Sequence, residues 1–142
     1  MQWIWGLLFG SFVSLSDQPT NLAVGTHDVS LKKPLSAITS GAALYLDVTS
    51  MVPKDELTLD GSRKWVERSV DPGCLKATLQ TDSEASVPLE FRGGFSFAPD
   101  SLHLILSGPG FAVPVRQNFK KLTLTNCVPL RQVRIYWANY RK

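Results

Sequence analysis

The chain is short of the features that usually announce an activity. No run of about eighteen apolar residues occurs, so no segment reads as a membrane-spanning helix. There are two cysteines and two histidines, with no C-x-x-C pair and no Cys/His cluster, so zinc has no ligand set. No G-x-S-x-G, G-x-G-x-x-G, P-loop or H-E-x-x-H pattern is present. No spaced run of acids surrounds a central glycine, which disfavours a calcium loop. No metal and no cofactor is implied. His27 and His103 have no visible nucleophile partner and read as surface histidines. The neighbouring acids Asp55 and Glu56 lie in a polar, loop-like stretch and read as solvated side chains.

Acidic residues are also missing from one whole region. Residues 101–142 hold no Asp or Glu but seven Lys and Arg, whereas residues 1–100 hold eight basic and twelve acidic side chains. A net charge of +3 over 142 residues is too small to point to nucleic acid. The basic carboxy-terminal third suits an acidic glycan, an anionic headgroup or an acidic protein, unless acidic strands neutralise it locally.

With 44% hydrophobic and 19% charged residues, the composition is that of one globular domain. Its amino terminus stands apart. Residues 3–15, WIWGLLFGSFVSL, are uncharged and largely apolar, and Ser14-Leu15-Ser16 places small residues at both critical positions of a cut after Ser16. This is the outline of a secretory leader, although no Lys or Arg precedes the apolar stretch. The competing reading is a buried amino-terminal strand or helix. On the leader reading, residues 1–16 are removed, residues 17–142 form the domain, and the product is secreted or periplasmic. In such a compartment Cys74 and Cys127 are expected to form one disulfide, worth about 4 kcal/mol in the chain-entropy model.

The rest of the chain alternates with period two. Leu44, Leu46 and Val48 alternate with Tyr45, Asp47 and Thr49. The same pattern recurs around Leu75–Leu79, Leu102–Leu106, Leu122–Leu124 and Val133–Trp137, with weaker strands at 22–31, 87–91, 95–97 and 111–116. Alternation of this kind marks half-buried strands. Turns fall at Asp71-Pro72-Gly73 and Ser107-Gly108-Pro109-Gly110. Pro114 suits an edge strand. Placing Leu89, Phe91, Phe95 and Phe97 on one face predicts a three-residue hairpin loop over residues 92–94. Residues 60–70 are the one helical stretch, with Ser62 as cap and Trp65, Val66 and Val70 on the buried face. The expected fold is all-β, a single antiparallel β-sandwich (or barrel) of about 8–9 strands.

One group of side chains stands out as a candidate surface. If Ile135 faces the core, Arg134, Tyr136 and Tyr140 line the opposite side of the last strand. Aromatic rings beside guanidinium groups suit sugar or peptide recognition. Arg116 and Lys121 extend the row if their strands are neighbours. The pattern points to an exported, non-enzymatic binding module for a glycan, a cell-envelope component or a protein. Two other readings stand beside it. One is an inhibitor or accessory protein acting on an enzyme through the 51–70 loop. The other is a small hydrolase using loop carboxylates such as Asp55 and Glu56.

Overall fold

A computed structural model describes residues 11–16, 18–37, 41–83, 85–97, 100–108, 113–114 and 117–139, with Ser11, Phe12 and Asn139 described by backbone alone. The period-two pattern becomes a curled antiparallel sheet that forms a half-barrel. Its strands are β1 (Ser11–Ser14), β2 (Thr20–Leu22), β3 (Gly25–Val29), β4 (Leu35–Ser36), β5 (Ala43–Asp47), β6 (Leu75–Thr81), β7 (Ser86–Phe97), β8 (Leu102–Ser107), β9 (Asn118–Asn126) and β10 (Leu130–Asn139). The order across the sheet is β1-β10-β5-β8-β7-β6-β9-β3, with β2 also on β10 and β4 also on β9.

The inward residues explain why the sheet holds together. Trp137, Leu44, Leu106 and Phe91 lie opposite one another on four successive strands, and Ile135, Leu46, Leu104 and Phe95 form the next row. Across the other half, Leu79 lies opposite both Val87 and Leu122. Most of these side chains are fully buried, which removes their apolar area from water at roughly 25 cal/mol per Å². Trp137 also satisfies its indole N–H, which donates to the Ser36 carbonyl at 3.0 Å.

Several expectations are corrected in detail. The stretch 22–31 divides between β2, which pairs β10, and β3, which pairs β9, so the chain bridges two distant strands there. The predicted hairpin over 92–94 does not form, because β7 runs unbroken from Ser86 to Phe97. Phe91 lies opposite Leu106 and Phe95 opposite Leu104, so Arg92, Gly93 and Gly94 together face the single residue Ile105. This bulge keeps Leu89, Phe91, Phe95 and Phe97 on one face without reversing the chain, and Gly93 (φ 95°) adopts the backbone it needs. The edge strand expected at 111–116 lies mostly outside the described residues; Val113 is buried and Pro114 is in no strand.

The segment 51–70 is not an open loop. Two 3-10 turns, η1 (Thr49–Met51) and η2 (Lys54–Glu56), lead into helix α1 (Leu59–Ser69). Trp65, Val66 and Val70 are buried as expected. The cap is Thr58 rather than Ser62: its side chain accepts from the Gly61 N–H at 3.0 Å, while Ser62 sits inside the helix and is fully buried. Thr58 wins because it precedes Leu59, the first helical residue, where the free N–H groups begin.

Cys74 and Cys127 are disulfide-bonded, with a Cα–Cα separation of 5.1 Å, inside the usual range for such bridges. They flank the Leu75–Asn126 pair at one end of the β6–β9 ladder. No helix among the described residues is long and apolar enough to cross a membrane.

Candidate functional site

Strands β10, β5 and β8 are neighbours, and their outward residues form one surface. The register sets Arg134 opposite Asp47 and Asp47 opposite His103, with Ser96 of β7 opposite His103 on its other side. One step along, Tyr136 lies opposite Tyr45 and Tyr45 opposite Ile105. Tyr45, Ala43 and Ala138 form a small apolar cluster on this face, with Ile105 and Tyr136 packed against it. The surface is therefore a polar row beside an aromatic one, both half-sunk into the sheet.

His103 is the centre of the arrangement. Its ring lies 6.1 Å from that of Tyr45 and, edge-on, 5.8 Å from that of Tyr136. Its Nε2 is 3.8 Å from Asp47 Oδ2. The other carboxylate oxygen of Asp47 accepts from both the backbone N–H and the hydroxyl of Thr49, and Thr49 Oγ1 in turn accepts from the Leu102 N–H at 2.9 Å. The start of η1 thus locks the carboxylate that faces the imidazole. Burial holds the His103 pKa below its ordinary value, and the Asp47 charge opposes that shift. Burial, reinforced by Asp47 and opposed by Arg134, raises the Tyr136 phenol pKa. Near neutral pH this surface therefore presents a neutral imidazole and a protonated phenol beside the Asp47 and Arg134 side chains.

The row Ser96–His103–Asp47 has the residue types of a hydrolytic triad. Residue types alone do not make such a site, which needs the serine hydroxyl hydrogen-bonded to the imidazole. The loop acids do not make a paired site either. Glu56 binds Arg68 at 2.9 Å, while Asp55 is exposed.

The residues singled out from the sequence meet different fates. Arg134 and Tyr136 share the outward face, both half-buried. Tyr140 and Arg116 lie outside the described residues. Lys121 is exposed on β9 opposite Gln80, and β9 is not a hydrogen-bonded neighbour of β10, so Lys121 does not extend the row. The neighbouring Lys120 is neutralised by Asp82 at 2.7 Å. Asp47, His103 and Tyr45 join Arg134 and Tyr136 on this face, although residue order alone does not mark them as ligand residues. Their parity placed each on the polar side of its strand, but nothing in the sequence says that β5, β8 and β10 are adjacent.

A second concavity lies between β2 and β3. It measures about 480 Å³, and its lining includes Leu15, Ser16, Leu22, His27, Val29 and Ile135. His27 is on the inward side of β3, opposite Leu124, and its Nε2 lies 2.7 Å from the Ala23 carbonyl. It is a half-buried, partnered residue rather than a surface one.

The architecture defines a disulfide-tied, curled antiparallel β-sheet protein with a polar and aromatic outer face. No family model, curated protein or solved structure matches the chain, so the functional argument rests on the site.

Proposed function

We propose that this protein is an exported, non-enzymatic binding module that recognises a glycan, a cell-envelope component or a protein through the outer face of β10, β5 and β8. The observation that carries the reading is the placement of half-buried Arg134, Tyr136, Asp47 and His103 on one face, over a buried Tyr45. Such a surface supplies planar donors, an acceptor and flat apolar ring faces. Export is supported by the leader-like residues 1–16 and by the Cys74–Cys127 bridge, which suits an oxidising compartment.

The test is the double variant Arg134→Glu, Tyr136→Ala, screened beside the parent against a glycan array and immobilised envelope fractions. Loss of a parent signal with a nearly unchanged melting temperature supports the reading. Retention of every signal sinks it, and loss of the fold shows that the two residues are structural.

A second reading, an inhibitor or accessory protein working through residues 51–70, draws on one observation. Leu59, in the first turn of α1, is 65% exposed. An apolar residue in that position is suited to insertion into a partner's pocket. Leu59→Asp removes the apolar side chain without touching the outer face, so partner capture lost only in this variant favours the helix.

A further inference from the structure

We propose that the edge of β10 covered by β1 becomes, once the leader is removed, the docking strand for an extended segment of a partner protein. This rests on the export reading and narrows its partner to a polypeptide. Residues 11–16 occupy the seat in the structure. Ser11–Ser14 pair antiparallel with 136–139, the Leu15 N–H donates to the Ile135 carbonyl at 2.8 Å, and the Ile135 N–H donates to Ser16 Oγ at 3.2 Å. A cut after Ser16 removes every one of these partners. Strand β2 does not replace them, because it meets β10 only at Leu130 and Val133.

The vacated edge has a definite chemistry. Residues along an antiparallel strand alternate in the side to which their backbone groups point. Since the N–H and C=O of Ile135 face β1, those of Trp137 and Asn139 face it too. Loss of residues 11–16 opens these donors and acceptors beside Val133, Ile135 and Trp137, all buried in the intact chain. An open edge on an apolar strand is a template for pairing, and main-chain bonds there select a polypeptide over a sugar.

The present occupant shows what fits. Val13 lies opposite Trp137, Leu15 packs on the core beside Ile135, and Ser14 lies opposite Tyr136 on the outer face. Over residues 13–16 the occupant is extended and uncharged, apolar Val13 and Leu15 alternating with Ser14 and Ser16; Leu15 is the side chain that packs on the core, whereas Val13 stays 43% exposed. The seat adjoins both neighbouring features. Its outward residues fall beside Tyr136, and Leu15 and Ser16 help to line the 480 Å³ cleft that their removal widens.

The test uses the product secreted by a competent host, with its start read by intact mass. The probe is a synthetic peptide of residues 11–16. Two analogues carry one N-methyl group each, at Val13 or at Ser14. A product starting at Asp17 that binds the peptide, with new hydrogen-exchange protection at Ile135 and Trp137, supports the proposal. Methylation at Val13 should then weaken binding about tenfold or more, because its N–H faces Trp137, while methylation at Ser14 should change it far less. A product starting at Met1 overturns the export reading and this proposal with it. A product starting at Asp17 that ignores the peptide overturns the proposal and leaves export standing. So does a dimer with the same amides already protected, which assigns the edge to a second copy, and so does indifference to the site of methylation.

Discussion

Asn126 puts a buried polar side chain to use through its amide N–H groups. It is buried at the end of β9, and its amide donates to the carbonyls of Leu22, Ala23 and Val128 at 3.3, 3.0 and 2.8 Å. Leu22 and Ala23 lie where the chain passes from β2 to β3, and Val128 lies between β9 and β10. Asn126→Leu keeps the approximate volume but orphans the acceptors, and should cost about 1–3 kcal/mol in urea unfolding; an unchanged midpoint would refute the role. Gly61 is constrained differently. A Cβ there would stand 2.5 Å from the Glu56 carbonyl oxygen and 2.9 Å from Thr58 Oγ1. Gly→Ala ordinarily favours a helix by about 0.5–1 kcal/mol. Here Gly61→Ala should reverse that sign and destabilise by about 1–3 kcal/mol, because backbone and cap must both move. Thermal melts of the two proteins decide it. Neither role is written in the sequence, since both depend on atoms that folding brings into contact.

Among the elements, β7 and β10 show what alternation reveals and what it leaves open. The demand that Leu89, Phe91, Phe95 and Phe97 share a face is met equally by a three-residue hairpin loop and by a three-residue bulge. Parity cannot separate them; the presence of β8 alongside both halves of β7 does. In β10 the residues 131 and 132 face the single Asn21, and Gln132 takes a left-handed backbone (φ 53°) while its N–H donates to Asn21 Oδ1 at 2.9 Å. The outer face of β5, β8 and β10 carries a pH dependence. His103 there is faced by Asp47 and Tyr45 from β5, Tyr136 from β10 and Ser96 from β7. Its pKa is lower folded than unfolded, so the unfolded chain takes up the proton more readily. The stability it contributes is complete above about pH 6.5 and is lost as pH falls toward the lowered value. Melting temperatures recorded from pH 7.5 to 5 should fall more steeply for the parent than for His103→Gln. Parallel curves would show that another group governs the acid limb.

For the molecule as a whole, topology and the disulfide work together. The sheet is built largely from pairings between segments remote in sequence, such as β3 with β9 and β5 with β10. Cys74 and Cys127 are 53 residues apart, and the Cys127 N–H donates to the Cys74 carbonyl at 3.1 Å, so the bridge continues a ladder already formed. Removing it with Cys74→Ser and Cys127→Ser should leave the fold intact and lower unfolding stability by about 2–5 kcal/mol, mostly by freeing the unfolded chain. Denaturation with and without reductant is the check, and a loss below about 1 kcal/mol would contradict it.

The β class, the inward face of each major strand, the buried face of α1 and the outward parity of Arg134 and Tyr136 were all legible from residue order. They follow from the two-residue repeat of a strand and the helical repeat of α1, which are local properties of a chain with one wet face and one dry. Which strands became neighbours was not local. Asp47, His103 and Tyr136 meet because β5 pairs with both β8 and β10, and Lys121 is excluded because β9 pairs elsewhere. Register and strand order come from summing many cross-strand contacts over the whole core, and no window of the sequence contains that sum.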